Sequence, residues 1–330
     1  MNLTPESVRQ WAGYAGDSPL YVHLSEVIAG DDDLLRVLNR IEHKPAPNIL
    51  FAAVQLLLSG EPGHELSAYY PNLAPRPFPL ERAGEPFRRF VLDRESEIVA
   101  IGKARYTQTN EARRCVALLP AVWEAPFDRF HLVDVGTSAG LNLALDRYRY
   151  RWGDSEWGPD SPVVLTTESR GMTPRARDVE VLSRVGIDLN PIDPEDPVER
   201  LWLESLVWPE HHERRDRLRA SLQVARSVPI DFVAGDALTA LPGVYDRLPA
   251  GEAVVVMDSF VLNQLTDDLR QQFEDVSVDE RRRRPVHRVS LEPVGDRSDA
   301  SALTVDSGHG PRQIGWAHHH GEWLDLYARP

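Results

Sequence analysis

Leu34, Leu35, Leu38 and Ile41 recur at helical intervals within residues 31–43, and residues 47–58 form an almost unbroken apolar run closed by Gly60. The spacing predicts two helices, the second buried on most sides and stopped by its glycine. Residues 60–86 are rich in proline, which cannot continue a helix interior, so they predict a long connection. Helical character resumes over 87–101 and again over 105–119, where Thr109 or Asn110 can cap a helix whose inner face is Ala112, Val116 and Leu118 or Leu119. Residues 1–125 therefore read as a helical N-terminal cap region.

At Phe130 the period changes. His131 to Val135 is a short branched apolar run broken only by Asp134, the pattern of a buried parallel strand. The letters GTSAG follow at 136–140, after which Leu141, Ala144, Leu145 and Tyr148 predict a helix capped by Ser138. Residues 147–151 alternate arginine with tyrosine, which predicts a twisted edge with arginine stems covering the rings. Further strands are predicted at 162–167, 183–189, 229–234 and 253–257, with shorter candidates at 288–292, 302–306 and 313–317. Between them, 197–225 is amphipathic and divided at Pro209, and 266–278 reads as a helix. Strands ending in polar residues and separated by helices predict an α/β fold: a doubly wound, mostly parallel sheet over 126–330, with about 148–182 inserted.

A strand, a glycine turn and a helix in that order predict a ligand site around GTSAG. Asp134 can accept from a ligand ammonium, while Gly136 and Gly140 let a ligand and neighbouring backbone approach closely. Asp188, at the end of the next strand, reads either as an acid for the two hydroxyls of a ribose or as part of an Asp/Asn/Pro turn with Asn190, Pro191 and Asp193. Asp236 can accept the exocyclic amine of a base. Asp258 and Asn263 lie at the carboxyl end of the most apolar strand, where open α/β sheets bind ligands. Gln108, Asn110 and Glu111 form a polar cluster that either starts a capped helix or borders the mouth of the site.

Charge narrows the partners. With a net charge of −14, the chain is a poor general surface for nucleic acid or anionic membrane, although a local basic patch is compatible with that charge. Cys115 is the only cysteine and is read as a core residue of a cytoplasmic protein. Residues 1–14 lack the apolar centre of a signal peptide, and the apolar run at 49–58 is too short to span a bilayer. His318, His319 and His320 diverge on any regular element, so no metal is expected there.

Four segments together, QTNEARRC at 108–115, DVGTSAGLNL at 134–143, RVGIDLNPID at 184–193 and HGEWLDL at 320–326, resemble a largely prokaryotic family. It is the domain-of-unknown-function family 2332, grouped with class I S-adenosylmethionine methyltransferases. The resemblance covers nearly the whole chain. It implies a Rossmann-like fold and S-adenosyl-L-methionine as cofactor. Asp134, Gly136 and Gly140 then form the methionine-side loop, Asp188 takes the ribose, Asp236 the adenine, and Asp258 follows the catalytic strand. Ser138 stands where such enzymes usually have a middle glycine, and either narrows the pocket or supplies a hydroxyl. Asp258 lacks the flanking proline and aromatic residues of nucleic-acid amino methyltransferases, so that substrate class is not supported, and the acceptor that the methyltransferase resemblance implies is a small molecule. Glu111, Asp258 and His320 are candidates for a general base. The same GTSAG also satisfies G-x-S-x-G, so a serine hydrolase using Ser138, with Asp236 or Asp258 and then His287, His309 or His320, is the alternative enzyme. A non-catalytic ligand-binding protein of the same fold is the other alternative.

Overall fold

A computed structural model describes residues 2–108, 110–295, 297 and 299–328, so the possible cap Thr109 lies outside the described residues. The chain divides into two compact units, Met1–Thr109 with Asp196–Asp216, and Asn110–Glu195 with Arg217–Pro330.

The first unit is helical. Its helices begin where short polar side chains satisfy the first free N–H groups. Thr4 caps Pro5–Tyr14 reciprocally with Ser7, Ser18 caps Pro19–Ala29, and Asp31 caps Asp32–Leu38. Ala46–Gly60 is apolar on nearly every side and forms the centre, with Ile49, Leu50, Phe51, Ala52, Ala53 and Val54 all buried. Tyr21 stacks on Phe51 with ring centroids 4.3 Å apart. Residues 196–216 return to this unit because Pro197–Ser205 inserts Trp202 fully into its core. The Gln55 amide fixes the return by donating to the carbonyls of Ser205 at 2.6 Å and Val207 at 3.0 Å.

The second unit carries a mixed sheet whose strands, in chain order, are β1 Arg129–Val135, β2 Arg149–Trp152, β3 Ser155–Trp157, β4 Val164–Ser169, β5 Glu180–Asp188, β6 Asp231–Ala234, β7 Val254–Ser259, β8 Val286–Pro293, β9 Ala300–Asp306, β10 Arg312–His318 and β11 Trp323–Leu326. They lie in the order β3-β2-β4-β11-β10-β9-β8-β7-β1-β5-β6. From β8 to β6 every neighbouring pair is parallel, whereas β8 through β11 alternate in direction. Parallel strands need both faces covered, which explains why β7 is buried along its whole length and β1 everywhere except Arg129. One face packs Val133, Val135, Val254 and Val256 against Leu241, Val244, Tyr245 and Phe273 of the helices Ala237–Arg247 and Asp267–Glu280.

Three local expectations change. Residues 110–125 go with the sheet, because the helix Cys115–Val122 packs on β8 and β9 and its Val116 carbonyl accepts from the Trp152 indole at 2.8 Å. The stretch 148–182 is no excursion from the sheet: β4 pairs in parallel with both β2 and β11, so this segment extends the edge of the same sheet. Within it Tyr150 is buried while Arg149 and Arg151 are exposed and both pair with Glu156. The helix expected after Ser138 is instead a 3-10 stretch, Leu141–Arg147, with a kink at Ala144 and no side-chain cap. Gly140 enters it at φ 73°, and the Tyr148 hydroxyl donates to the Leu141 carbonyl at 2.8 Å, which closes the segment before an α-helix can propagate.

Candidate functional site

The loop after β1 is shaped by left-handed backbone at Gly136, Ser138 and Gly140, with φ of 75°, 49° and 73°. Such values suit glycine and strain serine. The amide N–H groups of Gly136 and Thr137 both donate to the Ile187 carbonyl, at 2.8 and 3.2 Å, folding the loop over the end of β5. At Gly136 a Cβ would come within 2.3 Å of a Val261 methyl, so only glycine lets the loop pass the segment after β7. Gly186 has the matching task on β5, where a Cβ would lie 2.6 Å from the Thr137 methyl.

Ser138 is held in its strained conformation from several sides. Its N–H donates to Asp188 Oδ2 at 2.8 Å, and its carbonyl accepts from Ile192 N–H at 3.1 Å. Asn110 clamps the same residue: its Nδ2 donates to Ser138 Oγ at 2.6 Å while its Oδ1 accepts from Ala139 N–H at 3.2 Å. Asp188 spans the gap between two loops, because its Oδ1 also accepts from Asn190 N–H at 2.8 Å. Asp188 thus makes the turn with Asn190 and also bonds the backbone of the glycine loop. The next residue, Leu189, is 67% exposed, an apolar side chain left in solvent beside that acid.

Asp134 differs from every other acid here. It is buried, and neither carboxylate oxygen has a hydrogen-bond partner among the described residues; nor does the neighbouring buried Thr137 hydroxyl. Burial pushes its pKa up to about 7, opposed by the nearby Thr137 and Asn142 side chains, which favour the charged form without reaching normal hydrogen-bond geometry, while the like charges of Asp258 and Asp188 add to the rise. Asp258 stands one residue beyond Asp134 across the β1–β7 ladder, opposite Val135. It is wholly buried and fully engaged, accepting from Arg288 at 3.4 Å and from the Ser290 hydroxyl. Its pKa is also raised, by burial first, against the pull of Arg288. Asn263 is exposed, and its N–H joins those of Val261 and Leu262 on the Glu292 carboxylate at 3.1, 2.7 and 3.0 Å. Asp236 is exposed and caps Ala237–Arg247 through one oxygen, 2.9 Å from Leu238 N–H.

The segment following Asn110 ties the site to the end of the chain. Glu111 is buried and accepts both nitrogens of Arg217, at 2.8 and 3.0 Å, as well as the Arg113 N–H. Arg113 and Arg114 then donate from Nε to the carbonyls of His320 at 2.8 Å and His319 at 3.0 Å. Gly321 permits this docking, since a Cβ there would meet the Arg113 carbonyl at 2.3 Å. Arg114 also lies over the Phe260 ring, 4.0 Å from its centroid, and reaches the Ser259 hydroxyl at the end of β7. Thus Asn110, Glu111, Asp134, Ser138, Asp188, Asp258 and His320 all belong to the sheet unit, whereas Gln108 falls in the helical one.

The family model described as "Uncharacterized protein conserved in bacteria (DUF2332)" matches residues 6–326. The chain belongs to this family. No curated protein and no solved structure matches the chain. For a DUF2332 protein, the geometry adds residues that the motifs did not single out as site residues. Arg217 lies in a charged helix where nothing local distinguishes it, and Leu189 would have needed its exposure to be known. Arg113 and Arg114 were legible as charges but not as anchors for carbonyls 207 and 205 residues away.

Proposed function

We propose that the sheet unit is an S-adenosylmethionine-dependent methyltransferase of Rossmann-like build acting on a small-molecule acceptor. Asp134 carries the reading. A buried carboxyl with two unpartnered oxygens, set immediately before a left-handed glycine loop, is suited to a cationic ligand group such as the ammonium of the cofactor's methionine part. Strand order supports it. Taken in order of appearance, β1, β5 and β6 run to one side and β7 and β8 to the other, so the direction reverses at β1. Open sheets hold ligands outside the carboxyl ends at such a reversal.

The remaining contacts divide naturally. Asp188 keeps lone pairs beyond the two N–H groups it accepts, enough for ribose hydroxyls, and Leu189 offers an apolar face to a base. Asp236 has an oxygen beyond its helix cap for an exocyclic amine. Bound there, the cofactor would supply an electrophilic methyl group. The chain's own part is to orient and to exclude water. Glu111 and Asp258 are tied to arginines, so neither turns to an acceptor without breaking an ion pair; His320 is the other group proposed to take a proton.

Calorimetric titration with S-adenosylmethionine and S-adenosylhomocysteine tests the reading. Micromolar binding is expected, and Asp188→Ala should weaken it by about 10- to 150-fold, the loss of roughly 1.5–3 kcal/mol of charge-assisted hydrogen bonding. Absence of binding by folded wild-type protein overturns it, and binding without turnover on any acceptor favours the ligand-binding alternative. One observation favours a hydrolase, the positive φ of Ser138 within G-x-S-x-G. Yet the Ser138 hydroxyl is bonded by Asn110, and both ring nitrogens of His287 are engaged elsewhere, by Ser307 and the Ala121 carbonyl. Labelling of Ser138 by a serine-directed phosphonate would revive that reading.

A further inference from the structure

A cavity of about 160 Å³ lies within the sheet unit, lined by none of the residues around the glycine loop. Pro120 of the helix Cys115–Val122, Ile314 of β10 and Leu326 of β11 give it apolar walls. Residues 172–175 close another side, and the segment that carries them is tied down at both ends. Met172 N–H donates to the Leu326 carbonyl at 2.9 Å, and Arg177 Nη1 donates to the carbonyls of Trp123 at 2.8 Å and Ala125 at 2.6 Å. Gly171 lets the segment start against β11, because a Cβ there would lie 2.2 Å from the Leu326 carbonyl oxygen. The cavity is therefore held open by backbone ties on either side of it.

Its charged lining is Glu124, Arg175 and Arg312, two guanidiniums against one carboxylate. Arg312 and Glu124 satisfy each other at 3.0 Å. Arg175 is exposed and makes no hydrogen bond or ion pair among the described residues, so its long side chain is free to turn its guanidinium onto a ligand. Tyr327 adds a second donor. Its hydroxyl accepts from Gln313 Nε2 at 3.1 Å, which leaves the hydroxyl hydrogen to be donated. Met172 is 38% and Tyr327 45% exposed, and both of these large side chains left in solvent border the same cavity. Apolar walls, an exposed thioether and aromatic ring, and an unused cation thus converge on one solvent-open recess.

We propose that this cavity binds a compact aromatic carboxylic acid, its ring against Pro120, Ile314 and Leu326 and its carboxylate on Arg175 and the Tyr327 hydroxyl. Size sets the ring. An apolar cavity of about 150 Å³ takes up benzene, so 160 Å³ has room for one six-membered ring and little more. Met172 and Tyr327 favour an aromatic over an aliphatic body, through sulfur–ring and ring–ring contacts. Charge sets the head group. The lining carries one more positive than negative charge, which disfavours a cation, and the planar fork of a guanidinium matches a carboxylate with two parallel hydrogen bonds.

The inference does not depend on the methyltransferase reading, because it is tested by binding alone. Full-length protein is titrated calorimetrically with benzoate and phenylacetate and, for contrast, with benzamide, acetate and benzylamine. At least one of the two aromatic acids should bind saturably at one site per chain, and more tightly than any of the contrast compounds. Arg175→Gln should weaken that binding about fivefold or more, and Tyr327→Phe, which keeps the ring and removes the donor, by a smaller factor. Thr173→Trp, which places an indole in the recess from an exposed position, should abolish it. All three positions are exposed, so the variants keep the fold. Failure of both acids to bind folded wild-type protein overturns the proposal. So does unchanged affinity in any of the three variants, or binding of benzamide, acetate or benzylamine as tight as that of the acids.

Discussion

Asp134→Asn is expected to stabilise the ligand-free protein above pH 7 while weakening its grip on any ligand that brings an ammonium group to the glycine loop. The carboxyl is buried, its oxygens make no hydrogen bond of normal geometry among the described residues, and its pKa stands at about 7 against an ordinary value of 3.8. A group whose pKa is raised on folding binds its proton more tightly in the native state. Its contribution to stability is therefore fully present below about pH 4 and is lost as pH climbs towards 7, where the native protein must hold a bare charge in a dry site. A rise of about three pKa units corresponds to about 4 kcal/mol, the most the substitution can recover. An amide avoids the charge and can donate to the neighbouring Thr137 hydroxyl, for which no hydrogen bond of normal geometry is found among the described residues. Urea unfolding of both proteins at pH 5 and pH 8 checks this. The variant should gain markedly on the wild type at the higher pH and much less at the lower. Equal stability at both would show that the carboxyl is neither dry nor alone. The same titration with S-adenosylhomocysteine should show weaker binding, so that one residue exchanges stability for ligand affinity.

Glu111→Ala should act in the opposite direction, with a loss of about 3–5 kcal/mol, the usual cost of removing one member of a buried ion pair. The Glu111 side chain is 1% exposed and Arg217 16%, so the guanidinium left behind cannot readily recover its partner's charge from water. The effect should spread. Glu111 also fixes the Arg113 N–H, and Arg113 with Arg114 carries the carbonyls of the His319–His320 turn. Replacing both partners, Glu111→Met with Arg217→Met, should restore much of the lost stability, because no buried charge is then stranded. If Glu111 serves only as a base, its truncation would leave unfolding free energy within about 0.5 kcal/mol of wild type and affect turnover alone. A double-mutant cycle read by chemical unfolding separates the two.

The glycine loop was legible because its signals are local. A continuous apolar run announces the buried β1 whatever surrounds it, and the glycines at 136 and 140 do occupy left-handed backbone. Ser138 shows the limit of the same reasoning. Its place before a periodic apolar stretch suggested a helix cap, but apolar positions at three- and four-residue intervals suit a short 3-10 segment nearly as well. Asp188 was recognisable as a turn acid, and its bond to Asn190 N–H shows that turn; its second bond, to Ser138 N–H across the glycine loop, joins residues 50 apart and could not be read from local spacing.

Carboxylates were the hardest to read. Glu111, Asp134, Asp258 and Asp188 are alike as letters, yet one is clamped by arginine, one is unpartnered, one is shared between arginine and serine, and one bridges two loops. Those differences follow from what lies across the sheet or comes back from a remote helix. Arg217 is 106 residues from Glu111, and Arg288 is 30 from Asp258.

By itself the sequence determined the helical character of the first hundred residues, the buried parallel strands of the second unit, and the glycine turn that follows β1. Each depends on propensity and periodicity within a few residues, which no distant contact needs to supply. Only the tertiary structure decided that residues 148–182 extend the sheet through β4 and β11, that 196–216 return to the helical unit through Trp202, and that among the described residues the Asp134 carboxylate makes no hydrogen bond of normal geometry. Strand pairing and charge pairing are made by groups far apart in the chain, and a side chain's burial is settled only when every neighbour is in place.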